Sequence, residues 1–139
     1  MMKKLLKDKQ GVSAVEMALV IPVLLLFVGG IIDFGNAYWY GQTLTWASRV
    51  GAREAIVQTA DTWNADAIKA KVVKAVKSSC GKDITADDVT LDPEGAPLPG
   101  GDITVSVTMP FNYHFLPLIG VQRDSLSGET TMAFEPDYS

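Results

Sequence analysis

The longest apolar run, VSAVEMALVIPVLLLFVGGII from Val12 to Ile32, holds 21 residues and one charge, Glu16. At about 1.5 Å per residue it spans roughly 30 Å, the thickness of a bilayer's hydrocarbon core. Lipid offers no partners for free backbone groups, so the run is predicted to be a transmembrane helix. Past Asp33 the chain has no proline as far as Val57, and Ala47, Gly51 and Ala55 recur four apart on one helical face. Trp39, Trp46, Ala47 and Val50 are spaced for a neighbouring apolar stripe. The anchor is therefore expected to run on into a stalk, one helix of roughly 45 residues at that periodicity. A break follows at Gln58–Thr62. Ile68, Val72, Val73 and Val76 then mark one face of a second helix over Asn64–Ser78, with Asn64 or Thr62 as its cap and Gly81 as its end.

The pattern changes from helical spacing to alternation in the last third. Ile103, Val105, Val107 and Met109 alternate with polar residues, so Ile103–Met109 is the clearest half-buried strand, and Pro110 is expected to end it. Asp87–Leu91 reads as a shorter strand. Asp124–Phe134 reads as a last one, with Leu126, Gly128, Thr130, Met132 and Phe134 on one face. Between the first two strands, Asp92–Gly101 is dense in turn formers and must be a loop. Phe111–Gly120 is an aromatic, proline-containing connection. Its Phe111, Tyr113, Phe115, Leu116, Leu118 and Ile119 are expected to seal the sheet against a helix, with a partner surface as the alternative. The fold class is α+β: a single long N-terminal transmembrane and stalk helix, a second helix and a small antiparallel sheet. The expected organisation is a leader over 1–11, a transmembrane helix over 12–32, a stalk over 33–58 and a body over 59–139.

Charge adds a direction. The first eleven residues carry four lysines, Lys3, Lys4, Lys7 and Lys9, against Asp8, a net of +3, and the other 128 carry a net of −7. A basic head before an apolar run is expected to stay cytoplasmic, which puts the body outside. Tyr38, Trp39 and Tyr40 fit an interfacial aromatic belt at the outer side. No basic patch argues for nucleic acid. A secretory signal peptide shares the basic start and apolar centre, but this run is long and no clean small-x-small cleavage site follows it. Gly29-Gly30 permits close helix approach but is a weak sign of a dimer face.

Glu16 is the residue that a plain anchor explains badly. A carboxylate inside a membrane helix costs about 2–3 kcal/mol at the centre and needs a partner. No cation follows within the span. A cut between Gly11 and Val12 would create an amine beside Glu16, and the same amine on a neighbouring subunit would pair with it. Pro22 removes one backbone donor and clashes with the carbonyl of Ala18, so a bend is expected there; it reads equally as a tolerated membrane proline or as an aid to packing between subunits.

Gly11-Val-Ser-Ala-Val-Glu16 resembles the processing motif of type IV prepilins: a short basic leader ending in glycine, with glutamate at the fifth mature position. The longer stretch GVSAVEMALVIPVLLLFVGGIIDFG, continued by TLTWASRVGAREAIV, resembles the TadE-like family of the tight-adherence (Tad/Flp) pilus system over residues 10–57. Pro22, the Asp33-Phe-Gly exit and the Ala-Ser-Arg-Val-Gly-Ala-Arg stretch strengthen the match. Major Flp pilins have tyrosine after the glutamate, and here Met17 follows. The chain is also longer than a major subunit, so the resemblance points to a minor pseudopilin. It implies cleavage between Gly11 and Val12 by a prepilin peptidase on the cytoplasmic side, and subunit assembly through Glu16 and Pro22. It also implies other pilins, the inner-membrane assembly platform and membrane lipid as partners. The implied location is the inner membrane or a surface pilus serving adhesion, biofilm formation or secretion.

Conventional site chemistry adds little. The single cysteine, Cys80, excludes an internal disulfide, and one histidine, His114, excludes a histidine-rich metal site. His114 is expected to be a partly buried loop residue. Asp83, Asp87, Asp88, Asp92, Glu94 and Asp102 lack the spacing of an EF-hand loop. Lys69, Lys71, Lys74 and Lys77 read as a solvated helix face, with contact to an anionic membrane as the alternative. Arg49 and Arg53, either of which is positioned to pair with Glu54, read as a solvated face too, with contact to a partner subunit as the alternative. No nucleophile elbow or phosphate loop is present. The expectation is a structural protein rather than an enzyme, with no cofactor and no metal. The alternative is a membrane-anchored extracytoplasmic binding or adhesion domain that never enters a filament.

Overall fold

The structure, a computed structural model, describes residues 9–134. The lysines at 3, 4 and 7 and most of the expected leader lie outside the described residues. The fold is α+β, as the hydrophobic pattern indicates. Helix α1 spans Lys9–Ile56, 48 residues with Pro22 inside it, so anchor and stalk form one continuous element. It ends where Gln58 closes a turn on the Ala55 carbonyl and Thr59 donates its N–H to the Thr62 hydroxyl. Helix α2 spans Ala65–Cys80. The Asn64 side chain accepts the Ala67 N–H at 2.9 Å and caps its start. Gly81, at φ 67°, takes up the left-handed conformation that ends it, donating to the Lys77 carbonyl.

Three strands make one antiparallel sheet in the order β1 (Val89–Asp92), β2 (Asp102–Pro110), β3 (Ser125–Ala133). The register pairs Leu91 with Val105, and Val105 in turn with Thr130. Asp87 and Asp88, expected within the first strand, fall instead in a short 3-10 turn over Ala86–Asp88. The carboxylate of Asp88 accepts both the N–H and the hydroxyl of Thr85, which holds that turn in place. Pro110 ends β2, as expected, and is itself the last paired residue, opposite Ser125. Proline is tolerated at such a strand end.

The described residues fall into two compact units. The first holds the residues up to Asn36 with Tyr113–Gln122, and the second holds Ala37–Asn112 with the residues from Arg123 on. In the second unit the core is the inner face of the sheet against α1 and α2. Val89, Ile103, Val105 and Val107 are fully buried from the sheet, Ile68, Val72 and Val76 from α2, and Leu44, Ala47, Ala52 and Ala55 from α1. Each buried Val, Leu or Ile contributes about 1.5–3 kcal/mol. The contribution of α1 here is small residues, and that permits close approach. A Cβ on Gly51 would run into Val72 and meet Val105. A Cβ on Gly128 of β3 would strike the α1 backbone at Leu44 and Thr45. Beside that contact, the Ser48 and Thr130 hydroxyls share a hydrogen bond of 2.7 Å.

The structure refines one expectation for this unit and corrects another. Of the stripe Trp39, Trp46, Ala47 and Val50, Ala47 is buried, Val50 is half-buried and both indoles are exposed, so the buried face is the small-residue one. Glu54 pairs with Lys71 of α2 rather than with Arg49 or Arg53, because the packing of α1 on α2 brings that lysine within contact.

Candidate functional site

In the first unit α1 exposes almost every large apolar side chain it carries. Val15, Met17, Leu19, Val20, Leu24, Leu25, Phe27 and Ile31 are all exposed. An amphipathic helix of a globular protein would bury one face; this stretch has no buried residue before Gly29. It is one helix long and apolar enough to cross a membrane. The four residues expected to carry processing and assembly lie along it. The Gly11–Val12 peptide falls inside the helix, with Gly11 half-buried and Val12 exposed. Glu16 is exposed and has no ion pair among the described residues. Pro22 is exposed two turns further on, six residues after Glu16. Gly11, Val12, Glu16 and Pro22 thus share a helix without forming a cluster, and any partner for Glu16 has to come from outside these residues.

The built part of this unit is at the other end of the apolar run. Asp33 is 1% exposed. Its carboxylate accepts N–H groups from three successive residues: His114 at 3.0 Å to each oxygen, Phe115 at 2.7 Å and Leu116 at 2.9 Å. These donors open the 3-10 turn Leu116–Ile119, whose cap residue, Phe115, makes no side-chain cap bond of its own. Asp33 supplies the missing acceptor from a different element. A carboxylate holding several N–H groups forms the stronger, charge-assisted kind of hydrogen bond. Phe115 packs where Gly29 lacks a side chain, and Leu116 lies next to Gly30. Phe34 and Tyr113 pack their rings 6.1 Å apart.

This arrangement bears on three readings. Within the first unit Tyr113–Gln122 is clasped to α1 at residues 29–34, and Leu118 and Ile119 are exposed. His114 is not partly buried: its side chain is 77% exposed, its backbone N–H is held by Asp33, and its Nδ1 lies 3.8 Å from the same carboxylate. Gly29-Gly30 does allow a close approach, but to Phe115 and Leu116 of the same chain. Asp33 itself was visible in the sequence only as the polar end of the apolar run. The acidic stretch gives no cluster of three or more metal-binding side chains among the described residues. Asp88 is used in the Thr85 turn and Asp83 pairs with Lys77 at 2.7 Å.

The described residues thus form a long N-terminal helix, exposed along its first half and, alone among them, long and apolar enough to cross a membrane, followed by a second helix and a small antiparallel sheet. Residues 11–53 match the family model described as TadE-like protein. No curated protein and no solved structure matches the chain.

Proposed function

We propose that the chain is a minor pseudopilin that takes part in assembling a Tad-type pilus, packed there through α1. The observation that carries this reading is the largely exposed apolar surface of α1 from Val12 to Phe34, on which Glu16 is the one exposed charge, inside the region of TadE similarity. In this reading residues 1–11 are a cytoplasmic leader, 12–32 cross the inner membrane, 33–58 form the stalk and 59–139 the extracytoplasmic body. A prepilin peptidase cuts between Gly11 and Val12. The new Val12 amine then pairs with Glu16 of a neighbouring pilin, which offsets the cost of holding a carboxylate in lipid. Pro22 relaxes the helix where subunits pack, and the assembly platform and other pilins are the partners. The role is structural, with no catalytic step.

Glu16→Ala tests the packing. Membrane insertion should be unchanged, because the span becomes more apolar, while surface pili counted by electron microscopy should fall at least tenfold. Unchanged piliation would overturn the proposal and favour an anchored domain that stays outside the filament. Cleavage is tested separately by the intact mass of the membrane-extracted protein: residues 1–11 should be missing, and their retention would remove the processing step.

A further inference from the structure

We propose that the turn Phe115–Val121 is a second membrane-contacting element, seated in the outer leaflet beside the last turns of the transmembrane helix. The inference rests on the membrane-anchor part of the proposed function and adds to it a surface outside α1. Three observations within the first unit carry it. The first is level: Phe115 and Leu116 pack at Gly29 and Gly30, and Asp33 binds their N–H groups, so the turn sits alongside the end of the apolar run, not beyond it. At 1.5 Å per residue, Gly30 and Gly29 lie about 4.5 and 6 Å inside Asp33 along the helix axis.

The second is chemistry. Phe115–Gln122 carries no charge, and Leu118 and Ile119 are 76% and 55% exposed. They continue the apolar surface of Phe27, Ile31 and Phe34, with which Leu116 and Ile119 line one groove. An unbroken apolar surface that begins on a lipid-facing helix calls for the same solvent, acyl chains. The third is the backbone. Entry into lipid requires internal partners for polar groups. The N–H groups of Phe115 and Leu116 are held by Asp33. Those of Leu118, Gly120 and Val121 bond to carbonyls of residues 115–117, and Pro117 has none to satisfy. The turn is thus equipped to sit in an apolar layer, and in sequence His114 precedes it and the charged Arg123 and Asp124 follow it.

The test uses the full chain in phosphatidylcholine vesicles at low protein-to-lipid ratio, in a Cys80→Ser background. An environment-sensitive fluorophore is attached at Leu118→Cys, at Ile119→Cys as a second site on the turn, and at Phe27→Cys within the span. The expected result is quenching of both turn labels by lipids with a doxyl group at acyl carbon 5, at least twofold stronger than by carbon-12 lipids, with little quenching by iodide. Turn labels quenched by iodide alone, with Phe27 still quenched by doxyl lipid, would overturn this inference and leave the anchor intact. Iodide quenching at all three positions would remove the anchor reading as well. Turn labels shielded from both quenchers would mean that protein, either a second copy or another subunit, covers the surface, and would also overturn it.

Discussion

Helix α1 solves two packing problems with two different alphabets. Between Val12 and Ile32 it carries Leu, Val, Ile, Met and Phe, and nearly all of them are exposed. Between Leu44 and Ala55 it carries Ala, Ser and Gly on its inner face, and these are buried against α2 and the sheet. In a water-soluble fold the larger apolar residues would be the buried ones. The inversion shows that hydrophobicity along α1 does not report where its own chain packs. Bulk on the first half is directed at something outside the folded chain, and smallness on the second lets a strand and a helix lie directly against the backbone.

The sharpest way to break this comparison is to add bulk where smallness is needed. Gly128→Val would place side-chain carbon against the Leu44 and Thr45 backbone, where no flexible neighbour can yield. Overpacking of this kind costs about 1–3 kcal/mol and more where backbone must move, so β3 should separate from α1 and the body should lose its cooperative thermal transition in detergent. A body that melts as the wild type does would mean that the small-residue face is not a tight contact.

The next effect is local. Asp33→Ala leaves the N–H groups of His114, Phe115 and Leu116 without their acceptor. Each unsatisfied buried donor costs about 1–3 kcal/mol, more than a short turn gains by docking, so Tyr113–Gln122 should come away from α1. Hydrogen exchange of Phe115 and Leu116 amides should rise at least a hundredfold, while α2 and β2 keep their protection. Loss of protection across the sheet would show that the clasp supports the whole fold.

Asp33 also marks the boundary of what could be read from the sequence. The anchor, α2 and Ile103–Met109 were legible because each signal is local: an apolar run, a 3.6-residue stripe with caps at both ends, and a strict alternation. Asp33 binds residues more than eighty positions away, and nothing near it in sequence distinguishes a clasp from the polar end of a span. The same holds for Gly29, which looks like a helix-contact glycine until Phe115 fills the space, and for Glu54, whose partner Lys71 comes from the next helix and not from an arginine on its own. Of the candidate site, Gly11, Val12, Glu16 and Pro22 were legible as a motif because the roles proposed for them depend on spacing along one helix. The turn at 115–121 was not, because its exposure depends on which element it docks against.

The smallest expected effect discriminates most directly between the two halves of α1. Leu24 and Leu44 are the same residue on the same helix, 58% and 0% exposed. Leu44→Ala opens a cavity and should cost about 2–5 kcal/mol, read as a lowered melting temperature of the detergent-solubilised body. Leu24→Ala removes a side chain that touches little of its own chain, so the same melt should move by less than about 0.5 kcal/mol, the range of changes away from packed sites. A Leu24→Ala cost near that of Leu44→Ala would mean that the exposed half of α1 is buried within its own chain after all. If instead Leu24→Ala is silent in the melt yet reduces piliation, its bulk serves contacts between chains and not the fold of one.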